Sequence, residues 1–132
     1  MYGHILVALK SDPGDETLVA QAAGLARLTK GRLTLFHAVH SHTRDEGAFL
    51  EDSAAAYLAE HARKLAEQGL IAETMVMRSE PAAGVRKAAR DSGADLIIMG
   101  SHGHHSVRHV LLGSVTETVL RACSMPVLLV RP

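Results

Sequence analysis

The chain predicts an α/β three-layer sandwich, a five-stranded parallel sheet in the order 3-2-1-4-5 with helices on both faces. Three observations carry that expectation. Five short apolar runs alternate with four stretches of helical periodicity, and connections of that size imply right-handed parallel crossovers. The runs Ile5–Leu9, Leu96–Met99 and Val127–Val130 are almost unbroken in apolar residues, as strands covered on both faces are. A glycine-rich segment follows the fourth run and leads into a helix. In the proposed order it falls where strands 1 and 4 part, the edge at which open α/β sheets hold ligands.

The first strand, His4–Leu9, precedes a helix that Asp12 should cap, with Pro13 at its first position and Asp15 and Glu16 complementing the dipole. Leu18, Ala22, Leu25 and Leu28 form its apolar stripe, and Gly31 is placed to end it. Arg32–Val39 is the second strand. The polar stretch His40–Ala48 reads as a mobile rim of the crevice, followed by a helix over Phe49–Gln68. Its stripe is Leu50, Ala54, Tyr57/Leu58, His61/Ala62 and Leu65, and Gly69 closes it. Ile71–Met77 is the third strand. A third helix follows Pro81, packs Val85, Ala88 and Ala89, and stops at Gly93. After the fourth strand, Asp95–Gly100, the loop Ser101–Leu112 is near the length at which a functional purpose becomes the better explanation. The last helix runs from Gly113 to Cys123 and presents Val115, Val119 and Leu120; Pro126 then opens the strand Pro126–Val130.

Composition narrows the function. With 132 residues there is room for one domain, and 47% of them are hydrophobic but only 3% aromatic, so Val, Ile, Leu, Ala and Met must build the core. Fourteen basic residues balance fourteen acidic ones, which removes any net electrostatic pull toward nucleic acid or an anionic membrane. Cys123 is the single cysteine, excluding an intrachain disulfide and a Cys-based zinc site, and its apolar setting favours inert packing. No apolar run approaches the ~18 residues of a membrane span, and the first residues run straight into a strand. The expectation is a soluble, cytoplasmic protein.

The chemistry concentrates at Gly100, Gly103 and Gly113-Ser114. Each glycine sits where a side chain would obstruct a bound phosphate, and a helix starting at Gly113 offers free N–H groups and a positive dipole end. Spacing alone is weak evidence, since glycine routinely ends strands and caps helices. The strand before and the helix after favour a phosphate site over turn chemistry. Neither a Gly-Lys-Ser/Thr loop nor a Gly-x-Gly-x-x-Gly after the first strand is present. The usual P-loop and dinucleotide readings therefore fail.

These residues carry a resemblance. The stretch Ile97-Ile98-Met99-Gly100-Ser101-His102-Gly103, through Leu111-Leu112-Gly113-Ser114-Val115-Thr116, to Pro126–Val130 closely resembles the universal stress protein family. It is most similar to the ATP-binding branch, whose signature G-x2-G-x9-G-[ST] is met without a gap. The likeness extends to Ile5-Leu6-Val7-Ala8 and Leu35-Phe36-His37-Ala38-Val39, and so to one domain over residues 1–132. It implies a Rossmann-like sheet of the adenine nucleotide α hydrolase kind. Backbone at Gly100, Gly103 and Gly113 and the Ser114 hydroxyl would wrap the phosphates. Ala8, Leu9 and Ala38 would line the adenine and ribose pocket with Met99 beneath the base, and Val115 and Thr116 would open the helix aimed at the phosphates. Val127, Leu128, Leu129 and Val130 would pair with a second copy across a two-fold axis, making a homodimer.

One position departs from the family. Its first strand usually ends in an Asp that approaches the nucleotide, and here Lys10 stands there. A lysine either attracts phosphate as a point charge or blocks the base pocket; Asp12 and Asp15 are explained by helix capping instead. Arg44, Arg108 and Lys10 are candidates to meet a γ-phosphate, and His102 is a further contact candidate in the glycine loop. His40 and His42 on one loop, with His102, His104, His105 and His109 on another, invite a Zn²⁺ or Ni²⁺ reading. Polar filler is the better account of them, and no metal ligand set is assigned. His4, His37 and His61 are explained by packing. No acidic–basic pair stands at a defined spacing in the loop, so efficient catalysis is not indicated. The resemblance thus implies a homodimeric stress-response or signalling module that binds ATP, with ADP or AMP as alternatives, with or without Mg²⁺. A slow ATP hydrolase and a nucleotide-free dimeric interaction protein are the rival readings.

Overall fold

Strand and helix alternate throughout the residues that the computed structural model describes, 1–101 and 113–131. The elements are β1 (His4–Ala8), α1 (Asp15–Thr29), β2 (Arg32–Val39), α2 (Arg44–Glu67) and β3 (Ala72–Arg78), then α3 (Pro81–Ser92), β4 (Leu96–Gly100), α4 (Ser114–Ala122) and β5 (Val127–Val130). The five strands form one parallel sheet in the order β3-β2-β1-β4-β5, as the sequence predicts. Ile5 stands opposite Leu33 on one side and Leu96 on the other, which makes β1 the centre of the sheet.

Side chains alternate across the pleat, so each apolar strand feeds two cores. Ile5, Val7 and Leu9 join Leu33, Leu35, Leu96 and Ile98 beneath α1 and α2, where Leu18, Ala22, Leu58 and Leu65 cover them. Leu6 and Ala8 join Phe36, Ile97 and Met99 on the opposite face, under Val85, Ala88 and Ala89 of α3 and Val119 of α4. The result is three layers. His4 Nε2 meets Thr34 Oγ1 at 2.7 Å, and burial, followed by the nearby Arg32 charge, holds the His4 imidazole below its ordinary pKa.

Helix α3 lies unusually close to the sheet. A Cβ added at Gly84 would come 2.2 Å from Ser79 Oγ and 3.0 Å from Phe36 Cζ, so glycine is what permits the approach. Ser79 Oγ is buried there without a hydrogen-bond partner.

Four expectations are corrected. Asp12 does not cap α1: its carboxylate accepts from Gly14 N at 2.8 Å, and the helix begins at Asp15 with Gly14 as N-cap and no side-chain cap. Lys30, at φ 56°, takes the left-handed position that ends α1, and Gly31 follows it. Helix α2 starts at Arg44, not Phe49, because Thr43 caps it by accepting from Glu46 N at 3.1 Å; the rim loop shrinks to residues 40–43. Finally, the two-sided burial expected of β5 fails: β5 is an edge strand among the described residues, with Leu128 39% exposed. The predicted stripes also overreach at Leu28 and Leu120, both exposed, while Ala26 takes the inward position on α1.

Candidate functional site

A cleft of about 290 Å³ opens at the carboxyl edge of the sheet, where β1 and β4 are neighbours but their following helices go to opposite faces. The end of β1 contributes Ala8, Leu9 and Lys10. From β2 come Phe36, His37 and Ala38, and from β4 Met99. Pro81 and Val85 at the start of α3 close one wall, and Gly113, Ser114, Val115 and Thr116 form the other. The walls are mostly apolar, and the volume sits at the lower end for small-molecule sites.

The polar end is the start of α4. Its first intrahelical bond runs from Glu117 N to Gly113 O at 3.0 Å, so the N–H groups of Ser114, Val115 and Thr116 lie ahead of the helix ladder. Among the described residues no side chain caps this terminus. Two contacts tie it to β4: Gly113 N donates to Ser101 O at 3.0 Å, and the buried Thr116 hydroxyl donates to Gly100 O at 2.9 Å. A helix N-terminus open to a cleft attracts anions through its N–H groups and its dipole together.

The β1–α1 turn is built differently. Leu9 is anchored to β2 from both sides of its peptide, its N–H donating to Phe36 O and its carbonyl meeting His37 Nδ1, each at 2.8 Å. Beyond it, Lys10 N reaches Asp15 Oδ1 at 3.0 Å and Oδ2 at 3.2 Å. Ser11 N reaches Oδ2 at 2.8 Å and Asp12 N at 3.4 Å. Tyr57, on α2, donates its hydroxyl to the same Oδ2 at 2.6 Å. Asp15 is 1% exposed. Its carboxylate therefore holds this turn as well as placing a negative charge in the first turn of α1. Burial first, and then the bond to Asp15, push the Tyr57 phenol well above its ordinary pKa.

Of the residues singled out from sequence, the cleft brings together Ala8, Leu9, Lys10, Ala38, Met99, Gly113, Ser114, Val115 and Thr116. Gly100 ends β4 one hydrogen bond away, through Thr116. His102, Gly103, Arg108 and the loop histidines 104, 105 and 109 lie outside the described residues. Arg44 is drawn into the first turn of α2. The rings of His40 and His42 meet edge to face at 5.5 Å, and among the described residues no group of three His, Cys, Asp or Glu gathers as a metal site. Sequence reasoning missed Phe36, His37, Pro81 and Val85 as lining residues; strand parity from Ala38 points to Phe36, but the α3 wall carries no sequence motif. Half-buried Cys123 packs against the α3–α4 core, and burial raises its thiol pKa.

With this geometry in view, the comparisons become interpretable. The model of the universal stress protein family matches residues 1–131. The chain belongs to the universal stress protein family. Universal stress protein A homolog 2 of Coxiella burnetii is 36% identical over 141 residues, covering 98% of this chain and 95% of its own. A universal stress protein of Methanocaldococcus jannaschii is 39% identical over 69 residues, 52% of this chain and 43% of that protein. Among solved structures, the universal stress protein from Archaeoglobus fulgidus in complex with dAMP has a TM-score of 0.76 at 24% identity, covering 98% of each chain. A universal stress protein in complex with cAMP has a TM-score of 0.80 at 22% identity, covering 98% of this chain and 97% of its own. At these identities the structural likeness speaks to the fold. Among the described residues of this universal stress protein, no helix is long and apolar enough to cross a membrane.

Proposed function

We propose that this chain is an adenine-nucleotide-binding stress-response module, acting in the cytoplasm as a homodimer with little or no catalysis of its own. The observation that carries the reading is the N-terminus of α4, with a glycine N-cap and no side-chain cap among the described residues, opening into an apolar cleft at the β1–β4 edge. A purine suits the walls built by Ala8, Ala38, Val85 and Met99, and phosphate suits the leading N–H groups of α4. Relatives of the same fold that hold dAMP and cAMP support an adenine nucleotide.

Phosphate would be met by backbone rather than by a preformed metal site, because the buried carboxylate nearest the cleft, Asp15, is already committed to the turn. The dimer reading rests on the β5 edge, where Leu128 is exposed on the last strand, an apolar edge suited to a second copy of the chain.

Isothermal titration of the purified protein with ATP, ADP and AMP, with and without Mg²⁺, tests the proposal. Saturable binding without turnover is expected. Gly113→Val should abolish that binding while leaving the circular dichroism spectrum unchanged. Failure of all three nucleotides to bind, or unaltered affinity in Gly113→Val, would overturn the reading.

A further inference from the structure

The backbone of the β1–α1 turn presents three consecutive N–H groups, from Lys10, Ser11 and Asp12, to one point in space. Ser11 achieves this at φ 62°, a left-handed conformation that a β-carbon makes costly. Such a concave run of N–H groups is an anion cup, the kind of feature that elsewhere receives a phosphate. Here the protein fills it with its own anion, the carboxylate of Asp15.

The anion is itself held from a second helix. Tyr57 donates to Oδ2, and its ring stands edge-on against the buried His61 ring at 4.9 Å and 80°, which limits where the phenol can go. The chain of contacts thus runs from α2 through Tyr57 and Asp15 to the backbone of Lys10, a residue that lines the cleft. Leu9, the residue before, is fixed independently to β2. Without the carboxylate the wall would lose the three N–H bonds that tie it to α1.

We infer that Asp15 and Tyr57 are positioning residues for the nucleotide cleft: the Asp15 carboxylate occupies the anion cup of the β1–α1 turn, and Tyr57 clamps it there, so that together they set the Leu9–Lys10 wall. A consequence follows for ligand polarity. The cup is closed to phosphate, which leaves the start of α4 as the anion-attracting end of the cleft among the described residues. This inference rests on the proposed function for its ligand, and on the ligand-free geometry for the clamp.

The deciding experiment has two arms on the full chain. In the first, amide hydrogen exchange of the ligand-free protein is compared between wild type and Tyr57→Phe. The amides of Lys10, Ser11 and Asp12 should exchange about fivefold faster in the variant, the scale of one lost hydrogen bond, while amides in the middle of α1 and α2 keep their protection. Unchanged exchange at those three amides would overturn the clamp. In the second arm, ATP is titrated into wild type, Tyr57→Phe, Lys10→Ala and the double variant. A positioning role predicts non-additivity: Lys10→Ala alters affinity in the wild-type background but has little effect once Tyr57 is Phe. Strict additivity, or wild-type affinity in Tyr57→Phe despite faster exchange, would overturn the link to the cleft. If the wild type binds no nucleotide, the proposed function falls and the exchange arm alone decides the clamp. Asp15→Asn, which keeps the shape and removes the charge, should reproduce the exchange result if Tyr57→Phe repacks instead of simply losing its hydroxyl.

Discussion

Two sets of backbone N–H groups face the same corner of this molecule and are treated in opposite ways. At the β1–α1 turn every donor from Lys10 to Asp12 is satisfied internally by a buried carboxylate. At the start of α4 the N-cap is a glycine, which has no side chain of its own to cap the leading donors. The contrast teaches that the sheet edge alone does not decide where an anion goes. Both regions stand at carboxyl ends of neighbouring strands, yet the protein has sealed one and left the other open. Residue choice at Asp15 and Gly113 makes that distinction, not topology.

The largest effect should come from unsealing the closed turn. Asp15→Ala removes the shared acceptor of three N–H groups and the Tyr57 hydroxyl in a partly buried place, and should cost about 3 kcal/mol of stability, read from the urea midpoint at constant m-value. A loss below ~1 kcal/mol would mean that water re-enters the cup without difficulty. Closing the open end is the converse experiment. Gly113 has φ −72° and ψ 160°, which an aspartate adopts without strain. Gly113→Asp should therefore raise stability by roughly a few tenths of a kcal/mol, while its carboxylate repels phosphate and weakens ATP about tenfold or more in titration. Equal affinity in that variant would place the phosphates away from α4.

The smallest effect is a pH dependence, and its sign follows from the raised Tyr57 pKa. The folded state holds the phenolic proton more tightly than the unfolded chain does, so this contribution to stability is complete below about pH 10. Above that, the unfolded chain releases its proton first, and stability should fall as pH rises. Denaturation of wild type and Tyr57→Phe on either side of about pH 10 checks this, the variant lacking this component of the alkaline decline.

Much of the architecture was legible because the strands are simple. Ile5–Leu9 and Leu96–Met99 carry no polar residue, which only a doubly covered strand tolerates, and the helices between them fix the crossovers. The element boundaries were harder where side chains bond backwards. Asp12 looks like an N-cap in sequence, but its carboxylate turns to Gly14 N, and Asp15 folds back over the preceding turn. No local pattern distinguishes an aspartate that complements its own helix from one that anchors the turn before it. The α2 start was different, because Thr43 followed three residues later by Glu46 is a capping signature that sequence reasoning passed over. In the cleft, the strand ends and Gly113 were readable, while Gly103 lies outside the described residues. The α3 wall was not, since Pro81 and Val85 reach the site only through the tertiary closeness of α3 to the sheet.

That closeness has a consequence of its own. At Gly84 the separation between a helix and the strand beneath it is set by the bulk of one hydrogen atom, with an unpartnered serine hydroxyl filling the remaining space. The seat of α3, and with it of the Pro81 and Val85 wall, thereby depends on the main chain at one residue, and adding a single methyl group there would act like a shim driven under a hinge plate.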